Sequence, residues 1–566
     1  MRYIGNNRKG NNRKENNGRE AVKGNRINGQ AFNPFLPGRE YIPDGEPHVF
    51  GNRVYLYGSH DREGGHTFCM EDYVVYSAPI NNLTDWKYEG VSYRANQDPD
   101  YSEFPYMYAP DVVQGNDGNF YLYYCMAGEY GIGGYKCPIS VAVSQYPAGP
   151  FEYLDHIHFD DDSIMKKYVC FDPAVINDNG TIRIYYGTRY DFEEREDFDQ
   201  NEEYIKQEME MFGKTKEEIL SYRSRRESCI SGNPNDSDSV MGPVMAVLCD
   251  DMVTIKEEPH HIIPYKVKGT SFEAHPFFEG ASIRKINDTY YFIYSSWQNH
   301  ELCYATSVYP DHDFVFRGTI VSNGDVGFQG RTNDKKVAMT GTTHGSIELI
   351  NGQWYVFYHR LTHKSDYSRQ SCAEKISIDE NGSISQVEIT SCGLNEGPLA
   401  ARVGMHYPAV IACNLTNGHM PHGSNSIYQI EFPNVTNKGD ERFIAEIEDG
   451  TFIGYKYFSF AQVDSIGVVA RIESEENKVV YDGPLRVDVR CMDDQPVVKE
   501  NESEEYKASV LEIRLEENGP TIGEIAIGNE VEWTEYKTTI SVPDGEHALF
   551  FVYHGSEKIQ LKEVFF

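Results

Sequence analysis

Disulfide signatures, long apolar runs and excess positive charge are all missing from this 566-residue chain. Its 11 cysteines stand singly from Cys69 to Cys491 with no CxxC pair, so neither a disulfide framework nor a zinc or redox motif is written in it. They read as reduced thiols acting as small hydrophobes. No run of about 18 apolar residues occurs, which excludes a spanning helix, and the N-terminus has no apolar signal segment. A cytoplasmic, membrane-independent protein is the expectation. Lys and Arg number 52 against 87 Asp and Glu, a formal charge of −35. That excludes nucleic acid, because phosphate repulsion would go unopposed. Tryptophan is scarce, at 4 residues, yet 41 tyrosines and 29 phenylalanines fall mostly in short alternating runs. Such runs suit pleated, half-buried strands.

Five stretches share one plan: an acid or histidine, a hydrophobic run, a Gly/Asn/Asp turn and an aromatic strand. They begin at Asp44, Asp111, Asp172, Glu279 and His344, with turns at Gly51, Asp117, Asn179, Asn287 and Asn351. The repeat predicts an all-β fold, a five-bladed β-propeller followed by a β-sandwich. The steps between leading residues are 67, 61, 107 and 65 positions. The long step holds a Glu/Lys/Arg-rich stretch over about 191–239, which predicts a helical insertion in the third blade. It reads as a surface excursion first, and as a lid or oligomer contact second. The expected division is a polar disordered tail over 1–30, the propeller over 31–396, a linker over 397–423 and the sandwich over 424–566.

If the five strands line one channel, their leading residues converge at its mouth. Each acid taken singly fits an ordinary turn cap facing water. Together they differ in type from blade to blade, which a purely structural repeat does not require, and acids that repel one another separate into a proton donor and a proton acceptor. With a water between them, two carboxyls cleave a glycosidic bond with inversion; closer together, they act by covalent retention. Tyr108, Phe171 and Trp297 stand where walls for a sugar ring would be, and equally where blades pack.

The motifs PDGEPHVFGNRVYLYGSHD, YAPDVV, FDPAVINDNG and FFEGASIRK, with the fifth-blade histidine and a following YHR, resemble glycoside hydrolase family 43 over about residues 32–396. The resemblance implies inverting β-xylosidases, α-L-arabinofuranosidases and arabinanases. It makes Asp44 the general base, Glu279 the general acid and Asp172 the group that raises the pKa of Glu279 and orients it. It puts His344 and Arg369 around the substrate, with His344 near a bound cation or water, and Asp111 on sugar hydroxyls or in the channel wall. Two departures leave rivals: Gly45-Glu46-Pro47 follows Asp44 where Asp-Pro is usual, so Glu46 competes as base, and Glu273 competes as acid. The motifs of the retaining fructosidase group are absent.

The C-terminal part resembles a family 6 carbohydrate-binding module, which implies sugar stacking on Trp533 or Tyr536. The expected function is an exo-acting glycosidase on short pentose-containing oligosaccharides. A β-galactosidase-type activity and a non-catalytic sugar-binding propeller are the alternatives. No cofactor is required on this reading, although a Ca2+ ion in the channel or the sandwich stays open, as does a homo-oligomer.

Overall fold

The computed structural model describes residues 31–566 apart from 66, 102–104, 128–137, 166–167, most of 189–240, 265–266, 424–430 and 480–508. The expected tail and nearly all of the expected insertion lie outside the described residues. Strands dominate throughout, and among the described residues no helix is long and apolar enough to cross a membrane.

Five antiparallel sheets follow one another along the chain, four of four strands and a last of three. Their first strands are Glu46–Phe50, Asp111–Gln114, Ala174–Asp178, Phe277–Ile286 and Ser346–Ile350. Each opens a tight hairpin at the predicted turn. Asn179 and Gly180, and likewise Asn351 and Gly352, take positive φ (51° and 91°, 50° and 85°), the pairing that matches strand twist in a two-residue turn.

The apolar clusters show how the sheets are arranged. One cluster joins the first and second sheets through Val75, Tyr93, Leu122 and Ala142, and others join each following pair. A further cluster joins the fifth sheet back to the first, with Tyr355, Phe357 and Ala373 against Val54, Leu56 and Tyr76. The first strands touch in the same cyclic order. The closure is fastened by the N-terminal segment, where Phe35 N donates to Ser371 O (3.2 Å) and Asn33 Nδ2 to Ala373 O (3.0 Å).

Beyond residue 398 the chain forms two six-stranded sheets around one core that includes Tyr455, Phe458, Leu549 and Phe551. The stretch expected as a connector, 397–423, supplies three short strands to these sheets: Leu399–Ala401, His406–Pro408 and Asn414–Thr416. The reason is visible in its sequence, since Leu399, Ala401, Tyr407 and Ile411 are all fully buried in that core. The two regions are pinned by ion pairs. Arg331 grips Glu517 through both outer nitrogens (3.1 and 2.8 Å), and buried Lys456 reaches Asp325 (3.1 Å) and Glu388 (2.9 Å).

Candidate active site

Asp44 and Asp172 stand immediately before or near the starts of their inner strands, both in the left-handed region (φ 58° and 44°). Such backbone in a residue other than glycine is uncommon and collects at functional sites. His344 lies between the two carboxylates: its Nδ1 is 3.9 Å from Asp44 Oδ1 and 3.7 Å from Asp172 Oδ2. Glu279 sits half-buried on the fourth inner strand, at an irregularity in its pairing with Thr289–Ser296. The next residue, Gly280, takes φ 71° and donates its N–H to Asp172 Oδ2 at 3.1 Å. A Cβ there would meet the His344 ring at 3.0 Å, so glycine is required both by its backbone and by the approach of the imidazole.

Electrostatics separate the two aspartates. Burial pushes the Asp44 carboxyl up, but the Arg369 guanidinium, together with the neighbouring His359, His344 and Ser59, outweighs it and holds the group below the ordinary carboxylate range. Arg369 Nη1 spans both Asp44 oxygens at 2.9 and 3.1 Å. Its other edge grips Asp61 at 2.8 and 2.9 Å, and its plane lies over the Phe68 ring at 4.7 Å. His359 accepts from Asp44 N at 3.3 Å and donates to Thr342 O at 2.7 Å; burial lowers it to about 3, so it is neutral. Asp172 behaves oppositely. Burial, then the charges of Glu279 and Asp44, push it well above the ordinary value.

The rivals fall elsewhere. Glu46 is buried one layer down the channel, bonded to Arg284 at 3.0 Å, and burial raises it to about 7. Glu273 is exposed and accepts from Gly269 N (2.9 Å) in its own turn. Asp111, expected on sugar hydroxyls or in the channel wall, has no exposure at all: its oxygens take His48 Nε2 (2.6 Å), Val112 N and Val175 N (both 2.7 Å). It belongs to the channel wall. Tyr108 and Phe171 meet edge to face at 5.0 Å in a buried cluster, and Trp297 packs across Phe278 at 5.3 Å. Asp61, Phe68 and His359 were not singled out from sequence. The first closes the quoted GSHD motif and the last is the histidine of YHR, so each carried a faint local signal.

In the C-terminal region Trp533 does not present a bare face. Arg471 lies over its ring at 4.0 Å and Lys562 at 5.3 Å, while its Nε1 donates to Glu441 at 3.0 Å. The Tyr536 hydroxyl donates to Glu530 at 2.5 Å.

Residues 32–384 match the sequence profile of glycosyl hydrolases family 43. The chain belongs to that family. It is 38% identical over 555 residues to a xylosidase/arabinosidase of Thermoclostridium stercorarium, covering 94% of this chain and 98% of the relative. It also resembles a xylosidase/arabinosidase of Bacteroides ovatus (30% identical, 57% of this chain, 87% of the relative) and xylosidase/arabinosidase 43A of Humicola insolens (29% identical, 61% and 96%). The family 43 profile ends at residue 384, whereas the match to the Thermoclostridium relative takes in 94% of the chain.

Proposed function

We propose that this chain is an exo-acting, inverting glycosidase that removes terminal xylose or arabinose from short oligosaccharides. The observation that carries the reading is the split between two buried aspartates at one mouth: Asp44 held ionised by Arg369, and Asp172 pushed toward its protonated form beside Glu279. The relatives named xylosidase/arabinosidase support the choice of pentoses.

On this reading the five sheets are the blades of a propeller and the region after about residue 398 is a sandwich packed on it. Asp44, ionised, takes a proton from water as that water attacks the anomeric carbon. Glu279 gives its proton to the departing oxygen. Repulsion between Asp172 and Glu279 keeps one proton within that pair, as required of an acid at neutral pH. Gly280 N fixes the Asp172 carboxyl while leaving Glu279 able to reach the leaving group. Arg369, tied on its far edge by Asp61, sets the orientation of Asp44. Tyr108, Phe171 and Trp297 form the apolar surroundings of the ring. Asp111 serves as a wall, not as a hydroxyl ligand.

Beneath His344, the side chains of Glu46, His48 and Asp111 come close enough to share an ion, and buried Glu46 Oε1 and His344 Nε2 have no hydrogen-bond partner. The set does not fit a hard cation such as Ca2+, which takes six or more oxygen ligands: Asp111 is occupied by His48, Val112 N and Val175 N, and Glu46 is held by Arg284. With Trp533 covered by two cations, we assign the sandwich a supporting role in preference to sugar stacking.

The test is hydrolysis of nitrophenyl β-D-xyloside, α-L-arabinofuranoside and β-D-galactoside beside Glu279→Ala, with the product anomer followed by NMR. Pentoside cleavage that the substitution removes, giving the inverted anomer first, is the expected result. Cleavage of the galactoside alone, or none by folded protein, would overturn the reading.

A further inference from the structure

The loop joining the last two strands of the fifth sheet, residues 362–368, touches both the catalytic mouth and the C-terminal sandwich. Every residue from His363 to Ser368 is buried. The loop is tied within itself: Ser368 Oγ donates to Ser365 O (2.8 Å), and Tyr367 N to Ser365 Oγ (2.9 Å). On one side Tyr367 meets the Phe68 ring edge-on at 4.8 Å, and Phe68 in turn lies under Arg369. On the other side Val435 N donates to Thr362 O at 2.9 Å, and Lys364 Nζ lies 2.5 Å from Glu446 Oε2 and 5.3 Å from the Phe432 ring centre.

Glu446 is an unusual partner. It is 8% exposed, has φ 57°, sits where Glu441–Ile447 slips register, and uses the same Oε2 to accept from Phe432 N at 3.1 Å. A side chain held in left-handed backbone persists where its surroundings over-determine it. Lys364, only 2% exposed, loses its hydration to reach this one carboxylate. Other ion pairs, Arg331–Glu517 and Lys456–Asp325 among them, already pin the two halves of the chain; what sets Lys364–Glu446 apart is its seat on the loop beside Arg369.

We infer that the C-terminal sandwich positions the catalytic centre: the Lys364–Glu446 pair anchors the 362–368 loop, so that Tyr367 and Phe68 hold the Arg369 guanidinium on Asp44. Lys364 and Glu446 are positioning residues and touch no substrate. The inference rests on the reading of Asp44 as base. If the anchor is lost, Arg369 drifts, Asp44 loses the charge that keeps it ionised, and the acid limb of kcat/KM moves to higher pH.

The experiment compares Lys364→Met/Glu446→Leu, an apolar pair of similar volume that should fold, with Arg331→Met/Glu517→Leu as the interface control. For a glycoside the wild type cleaves, the first variant should lose at least about tenfold in kcat/KM, in the range a positioned acid or base contributes, with its acid limb raised. The control should stay within about twofold of wild type with its limb unmoved, as expected for a pair far from the reacting groups. If the double variant does not fold, Glu446→Gln should give the same shift at smaller size. A folded variant with wild-type rate and limb, or a control with the same loss, overturns the inference. An inactive wild type would sink the functional reading instead. Hydrogen exchange then decides the anchor: faster exchange at 367–369 in the Lys364/Glu446 variant than in the control supports it, and equal exchange overturns it.

Discussion

Two groups of buried charge, an upper layer at the starts of the inner strands and a lower layer two to five residues further along them, are held in different ways. In the lower layer Glu46 and Glu348 share Arg284 (3.0 and 3.4 Å), and His48 bonds Asp111 at 2.6 Å. Acid and base face each other there, and Arg284 adds hydrogen bonds to Pro47 O and Ile283 O, both at 2.9 Å. In the upper layer Asp44 is paired in the same way, with Arg369, but Asp172 faces Glu279 and Asp44, and both aspartates sit in left-handed backbone. Pairing keeps a charge quiet, whereas like charges left together hold a proton ready to move. The lower layer is built for stability and the upper for chemistry.

Substitutions in each layer should break that contrast in different currencies. Asp44→Asn should lower kcat by about 10³–10⁴ on every glycoside, activated or not, because water activation is needed for all of them. It should leave the melting curve cooperative; wild-type rates in this variant would move the base assignment to Glu46. Arg284→Met should do the reverse. Leaving Glu46 and Glu348 buried without their guanidinium should cost about 3–5 kcal/mol of stability. Chemical denaturation would read this as a lower midpoint at unchanged slope, and an unchanged midpoint would show that the lower layer is not a structural network. Glu279→Gln should remove turnover of alkyl pentosides yet keep part of the rate on nitrophenyl pentosides, whose leaving group needs less protonation. Equal loss on both would argue against Glu279 as the acid.

Much of the upper layer was legible in the sequence because the chemistry rides on a repeat. Asp44, Asp172, Glu279 and His344 each precede or open a hairpin at the same offset, so a local pattern predicts their convergence once the ring closes. What locks them was not legible. Arg369 meets Asp61 across 308 positions and Asp44 across 325, and no local spacing encodes pairs so distant. Asp111 carried the same local signature as its counterparts, but backbone N–H groups from Val112 and from Val175 on the neighbouring strand claim its oxygens, a detail set by register between sheets. The stretch 397–423 read as a linker because its strands are only three residues long and pair with partners far along the chain, such as His406–Pro408 with Ile559–Phe565. Sugar stacking on Trp533 followed from the resemblance of the C-terminal part to a family 6 carbohydrate-binding module; the cations over its ring come from other strands, which that resemblance does not encode.

The sharpest test of the contrast has the smallest size. If the upper layer holds like charges at some cost, relieving one should stabilise the fold while harming catalysis. Asp172 has its pKa raised in the native state by burial and by Glu279 and Asp44. Such a carboxyl favours folding below its unfolded value and loses that contribution as pH rises through the folded value. Asp172→Asn keeps the shape, tolerates the left-handed backbone and still accepts from Gly280 N. At neutral pH it should therefore gain about 1 kcal/mol, a rise of about 1–2 °C in Tm. The gain should vanish near pH 4, where the wild-type carboxyl is protonated as well. Over the same range kcat should fall and the basic limb of kcat/KM should move to lower pH, because Glu279 no longer shares its proton with a second acid. A loss of stability at neutral pH would mean that Asp172 is paired as tightly as the charges beneath it, and the two layers would then differ in position only.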